Sequence, residues 1–230
     1  MIPASLPAGW ASACLTDVSA SMGGSTPSKQ DPTFWENGDI PWVSPKDMKT
    51  FEIRGSEDKV TQKALARLSL VPEGSVLVVV RSGILSHSLP VAQNHLPVTI
   101  NQDMRAFVPA KGIDSRYLAL QLTANSRAIL NTCAKDGTTV ASIEGGALAS
   151  FPLVIAPHTE QTRIVEKLEE LLGDLDAGVA ELKAAQKKLT QYRQSLLKAA
   201  VEGALTADWR AQNPLGETGA DLLARILQER

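Results

Sequence analysis

Residues 160–203 read EQTRIVEKLEELLGDLDAGVAELKAAQKKLTQYRQSLLKAAVEG, a run without proline in which leucine recurs every seventh position, at Leu168, Leu175, Leu182, Leu189 and Leu196. A heptad stripe of this length specifies a long helix with a narrow apolar seam, and such a seam is stable in water only against another helix. At ~1.5 Å per residue the helix spans roughly 65 Å, well beyond an ordinary globular helix. Three positions beyond each leucine stand Leu171, Gly178, Ala185, Tyr192 and Ala199. Small residues at three of these allow close backbone approach, which favours a tight two-helix pairing over a broad bundle. Thr159 is the predicted cap, and Glu160 in the first turn complements the positive end of the helix dipole.

Upstream the pattern changes. Phe151-Pro152-Leu153-Val154-Ile155-Ala156-Pro157 is an extended apolar segment bracketed by prolines, which marks a boundary at residue 157. The preceding head reads as short strands and loops punctuated by Gly, Pro, Ser and Asn. Val76–Arg81, introduced by the turn Pro72-Glu73-Gly74, is a buried-strand candidate, with Val98–Ile100 and Arg105–Val108 as further strands. Residues 115–130 carry a helical pattern through Leu118, Leu122, Ile129 and Leu130, capped by Asp114 or Ser115. The expected class is α+β. After Gly203, a loop at Asn213-Pro214-Leu215-Gly216 leads to a last short helix. In that helix Thr218 and Asp221 have capping-box spacing and Leu222, Leu223, Ile226 and Leu227 share one face, expected to dock on the long helix or, second, on a partner.

The 230 residues are 43% hydrophobic and 21% charged, enough for one core plus an extended element. The apolar run Val76–Val80 is too short to cross a bilayer, and Met1–Trp10 lacks the charged and apolar regions of a signal peptide, so the chain reads as cytoplasmic. Cys14 and Cys133 have no metal-ligand spacing. Between Val60 and Lys135, eight cations face three acids, a net +5, whereas residues 156–230 carry ten cations and twelve acids. Any polyanion-binding face therefore belongs to the head, the alternative being chance scatter of charge on a solvated surface.

The motifs that carry catalysis are missing or incomplete. Gly23-Gly24-Ser25-Thr26-Pro27-Ser28-Lys29 lacks P-loop spacing, and Asn213-Pro214-Leu215 falls short of the tetrad used by amino-methyltransferases. His87, His95 and His158 lie far apart. Glu57-Asp58-Lys59, with Asp39 or Asp47, is the one arrangement that resembles a metal-dependent nuclease, and acid-x-Lys triplets are common by chance. No catalytic residue, metal site or cofactor is assigned to the chain.

Several segments together resemble the specificity (S) subunits of type I restriction-modification systems. They are Leu6-Pro7-Ala8-Gly9-Trp10, Gly23 to Ser28, and Trp35 through Gly38-Asp39-Ile40-Pro41-Trp42-Val43-Ser44-Pro45-Lys46-Asp47. Val79 to Gly83, Ile100-Asn101-Gln102-Asp103, Gly137-Thr138-Thr139, Phe151-Pro152-Leu153 and Pro157 to Val165 continue the likeness. The resemblance implies a target recognition domain at 1–157, a coiled-coil helix at 158–203 and a C-terminal loop and short amphipathic helix at 204–230. It implies a non-catalytic subunit that binds double-stranded DNA and recruits a methyltransferase subunit and, for cleavage, a restriction subunit. S-adenosylmethionine and ATP then bind to those partners alone. Members of this family usually carry two recognition domains at opposite ends of paired antiparallel helices, and this chain carries a single set. A homodimer through Leu168, Leu175, Leu182, Leu189 and Leu196 restores the architecture and requires an inverted-repeat, bipartite target. The competing reading is a coiled-coil adaptor whose head binds protein.

Within the head, Arg81, Arg105 and Lys135 are candidates to reach phosphates or guanine edges, and Ser82, Asn101, Gln102 and Thr138 to hydrogen-bond bases or backbone. Lys29 and Lys46, on proline-bearing loops, are candidate clamps on the DNA backbone, while Trp10 and Trp42 read as core or loop anchors.

Overall fold

Short apolar runs separated by turn residues give short strands, and the structure of the chain, a computed structural model, describes them across residues 5–135, 140–213 and 216–229. In chain order come β1 (Ala11–Cys14), the single turn α1 (Leu15–Val18), β2 (Ser19–Gly23), β3 (Ile40–Val43), β4 (Glu52–Ile53) and β5 (Asp58–Val60). Then follow β6 (Val76–Val79), β7 (Val91–Asn94), β8 (Thr99–Ile100), β9 (Met104–Pro109), α2 (Ser115–Ala124) and α3 (Ser126–Cys133). The head closes with β10 (Ala134–Lys135), β11 (Ser142–Ile143), α4 (Gly145–Ala149) and β12 (Pro152–Ile155). The long helix α5 (His158–Val201) and the short helices α6 (Ala207–Gln212) and α7 (Gly219–Gln228) complete the chain, so the α+β class holds.

Five strands form one sheet in the order β2-β9-β6-β7-β4, and three form a second in the order β5-β3-β8. The central strand β6 is buried along its whole length and alternates: Val76 and Val78 face a core shared with Phe107, Leu118, Leu122 and Ile129, whereas Leu77 faces Val98, Ile100 and Ala106. Period-two alternation with both faces apolar is the signature of a strand covered on both sides. The strand stops at Val79, short of the predicted Arg81, because the N–H groups of Val80 and Arg81 leave the ladder and donate to the carbonyl of Asp103 at 2.8 and 3.1 Å. The predicted helix over 115–130 is divided at Asn125, whose N–H and side-chain amide both return to the carbonyl of Gln121. Asp114 caps the first part, its carboxylate accepting from the Tyr117 N–H at 2.8 Å.

The proline-bracketed segment is itself a strand. β12 pairs antiparallel with β1, from Ala11 opposite Ile155 to Cys14 opposite Pro152. The compact unit of the head then extends past residue 157 to Leu168, because the start of α5 is part of its core. Val165 packs with Tyr117 and Ala156, and Trp10 and Ile164 lie against them. Thr159 does not cap the helix; it lies inside it, and the carbonyl of Pro157 takes the first N–H groups, from Glu160 and Gln161. Glu160 lies in the first turn, as expected, and accepts from the indole of Trp10 at 2.9 Å, which assigns Trp10 as an anchor.

The second unit, Glu169–Arg230, contains the rest of α5 with α6 and α7. Gly203 ends the helical run in the left-handed conformation, φ 74°, as a glycine stop does. Leu175, Leu182 and Leu189 are exposed by 61, 72 and 68%, a seam presented to solvent. α7 is capped reciprocally by Thr218 and Asp221. Its apolar face, expected to dock on the long helix, is exposed instead at Leu222, Leu223, Ile226 and Leu227.

Candidate nucleic-acid interface

The tight turn after β8 organises the site. Asn101 is buried and folds back on the turn: its carbonyl oxygen accepts from the Asp103 N–H at 3.1 Å and its amide donates to Asp103 Oδ2 at 3.2 Å. This is the local ring that Asn favours in turns. Asp103 Oδ1 in turn accepts from Arg81 Nε at 2.6 Å. Gln102 projects outward between them, donating to Asp103 Oδ2 at 3.4 Å and accepting from the hydroxyl of Thr26.

Across from this turn runs the loop 24–29, and its position is fixed by contacts that tolerate little change. A Cβ on Gly24 would stand 2.2 Å from the carbonyl oxygens of Ile100 and Asn101, so only glycine admits the approach. The Ser25 N–H donates to Ile100 O at 3.1 Å, the Trp42 indole to Ser25 O at 3.1 Å, and the Trp35 indole to Ser28 O at 3.0 Å. The two indoles meet edge to face with centroids 5.2 Å apart. Trp42 is thus a loop anchor, as expected. Lys29 leaves this braced loop exposed, with no ion pair among the described residues.

The third wall follows β3. Ser44 and Asp47 form a capping box around the turn that carries Lys46. Lys46 lies 2.9 Å from Asp58 and 3.4 Å from Glu57, and the hydrogen bond to Asp58 holds its ammonium above the ordinary lysine value. Thr26, Lys29, Ser44, Lys46, Asn101 and Gln102 face a common cleft of about 440 Å³, so four of the predicted residues converge from three remote segments. Thr26, Ser44 and Asp103 join them without having been singled out; the Asn-x-Asp spacing was the available signal for Asp103.

The other predicted residues lie apart from that cleft. Ser82 caps the turn Gly83–Ser86 by accepting from the Ile84 N–H. Arg105, on β9 opposite Gly23, donates to the hydroxyl of Ser21 at 3.1 Å. Lys135 sits opposite Ser142, the residue that also bridges to Arg81, so Lys135 and Arg81 share a neighbour. Thr138 lies outside the described residues. Part of the +5 excess is engaged by side chains of the head: Lys63 and Arg67 lie over the Phe34 ring, and Arg116 lies over Phe51 and pairs with Glu52 at 3.3 Å. Nor is the cleft uniformly basic, since Asp58 and Asp103 line it. The nuclease carboxylates hold turns: Asp47 accepts from Ser44 and Glu57 backbone N–H groups, and Asp58 pairs with Lys46. Among the described residues no group of three or more His, Cys, Asp or Glu side chains is placed to hold a metal ion, and no described helix is long and apolar enough to cross a membrane. Mixed amides, hydroxyls and cations in a concave site match what base edges and phosphates require.

The "Type I restriction modification DNA specificity domain" family matches residues 7–185. The specificity subunit of the Escherichia coli type I restriction enzyme EcoR124I/EcoR124II is 39% identical over 188 residues, covering 79% of this chain and 46% of the relative. The specificity subunit of the MjaIX enzyme from Methanocaldococcus jannaschii is 30% identical over 168 residues, covering 71% and 38%. The chain thus spans less than half the length of either relative. Among solved structures, the HsdS subunit from Thermoanaerobacter tengcongensis shares the fold with a TM-score of 0.60 at 24% identity, over 86% of this chain and 46% of that one. By sequence over most of its length, the chain belongs to the type I restriction-modification DNA specificity domain family.

Proposed function

We propose that this chain is a sequence-reading subunit for double-stranded DNA that directs type I methyltransferase, and with it restriction, subunits to a bipartite site. The cleft carries the reading: in a member of the specificity family, Lys29, Lys46 and Gln102 meet from segments far apart in sequence on a polar surface that Asn101 braces from beneath. The chain itself supplies recognition and no chemistry. S-adenosylmethionine and ATP belong to the partner subunits.

A homodimer supplies the second recognition domain. The charges on α5 favour one arrangement of two copies. Residues 160–181 hold seven acids and two bases, whereas residues 182–201 hold five bases and no acid. In an antiparallel pair each acidic half faces a basic half; in a parallel pair like faces like. Antiparallel pairing with two-fold symmetry puts the two reading heads at opposite ends, which calls for an inverted repeat with a fixed gap.

The test is an anisotropy titration of the chain with its methyltransferase subunits against random duplex at several salt concentrations. Binding that weakens linearly in log–log form with salt is expected. No binding at low salt would sink the DNA reading and leave the adaptor.

A further inference from the structure

The candidate cations, Lys29 and Lys46 on the cleft and Arg81 and Arg105 outside it, differ in how their charge is compensated, Lys46 being paired with Asp58 and Glu57, and that difference divides their roles. Lys29 has no ion-pair partner among the described residues, and Arg105 has only the neutral hydroxyl of Ser21. Arg81 is different. Its Nε is held by Asp103 at 2.6 Å, and Asp103 is itself fixed by Asn101 at 3.2 Å and by its own backbone carbonyl, which accepts from Val80 and Arg81. The Arg81 side chain is 54% exposed, against 23% for Asp103, and its Nη1 and Nη2 meet no acceptor among the described residues. The guanidinium therefore presents its outer edge to solvent, in a plane set by the turn beneath it.

A carboxylate at that distance offsets most of the arginine's long-range field, which makes it a weak phosphate anchor; affinity from counterion release comes from uncompensated cations. The same carboxylate removes rotamer freedom and leaves two parallel N–H donors, the fork that matches O6 and N7 of guanine in the major groove. We propose that Arg81 reads a guanine and that Asp103 is the positioning residue that aims it, with Lys29 and Arg105 left to hold phosphates. The proposal rests on the DNA-reading function above and adds to it which side chain reads and which base it reads.

The experiment selects bound sequences from a randomised duplex library with the chain in complex with its methyltransferase subunits, comparing wild type with Arg81→Ala, Arg81→Lys, Asp103→Asn and Lys29→Ala. Wild type should enrich a motif containing a G·C pair preferred by roughly 5- to 150-fold over other pairs, the range of one bidentate contact. Arg81→Ala and Arg81→Lys should flatten that one position and spare the rest, and Asp103→Asn should relax the same position with the salt slope unchanged. Lys29→Ala should weaken all sequences alike and reduce the salt slope by about 1. An unaltered motif in Arg81→Ala overturns the proposal, as does a uniform loss in that variant with a shallower salt slope, which would make Arg81 a phosphate contact. If Asp103→Asn instead weakens every position equally and lowers the melting temperature, Asp103 serves the fold and its positioning role is overturned. A wild-type complex that binds duplex but enriches no motif, or does not bind, overturns the function on which the proposal stands.

Discussion

Gln161, in the first turns of α5, is a polar side chain only 1% exposed. Its oxygen accepts from the Asp114 N–H at 2.8 Å and its amide donates to Ala156 O at 2.8 Å and Gly112 O at 3.4 Å. One side chain thus joins the helix, the residue that follows β12 and the loop before α2. Gln161→Leu keeps the volume and strands these groups, at a cost of ~1–3 kcal/mol for each group left unpaired. Urea denaturation should report that loss, whereas Gln194→Leu on the exposed length of the helix should change stability by less than about 0.5 kcal/mol. Nothing in the sequence separates these two glutamines, because burial at Gln161 is decided by residues 5 to 49 positions away. Asn101 carries a similar lesson. Its type announced a turn or a reading residue equally well, and only the geometry assigns its polar atoms to Asp103.

Elements were legible in proportion to how local their causes are. The heptad leucines define α5 to within two residues of its observed end, and Thr218 with Asp221 defines the start of α7. The division of the second head helix at Asn125 was hidden, since the apolar spacing continues through it into α3. Strand partners were hidden altogether: the two-residue parallel pairings of β4 with β7 and β3 with β8 depend on contacts no periodicity encodes. At this scale the seam can be tested directly. Leu182 is 72% exposed in the single chain, so Leu182→Asp leaves that chain's packing alone. Light scattering should record half the wild-type mass, or the protein should become insoluble; an unchanged soluble mass would defeat the pairing.

For the molecule as a whole, the charge segregation along α5 makes orientation testable apart from affinity. Changing Lys183, Lys187 and Lys188 to Glu turns the basic half acidic. Under antiparallel pairing this abolishes the homodimer, and mixing with a variant bearing Asp174→Lys, Asp176→Lys and Glu181→Lys restores a heterodimer, measurable by native mass spectrometry. Under parallel pairing the reversal lowers the repulsion between the two basic halves, and association does not weaken.

The pairing of β1 with β12 carries a different consequence. Cys14 and Pro152 are partners in that ladder, so everything between them leaves and rejoins the chain at a single point. A segment with adjoining ends is a cassette: it can be exchanged for another of different contents while the strands that grip it, and the helix that follows, keep their places. The contents of the head and the helix that follows it become separately exchangeable parts of one polypeptide.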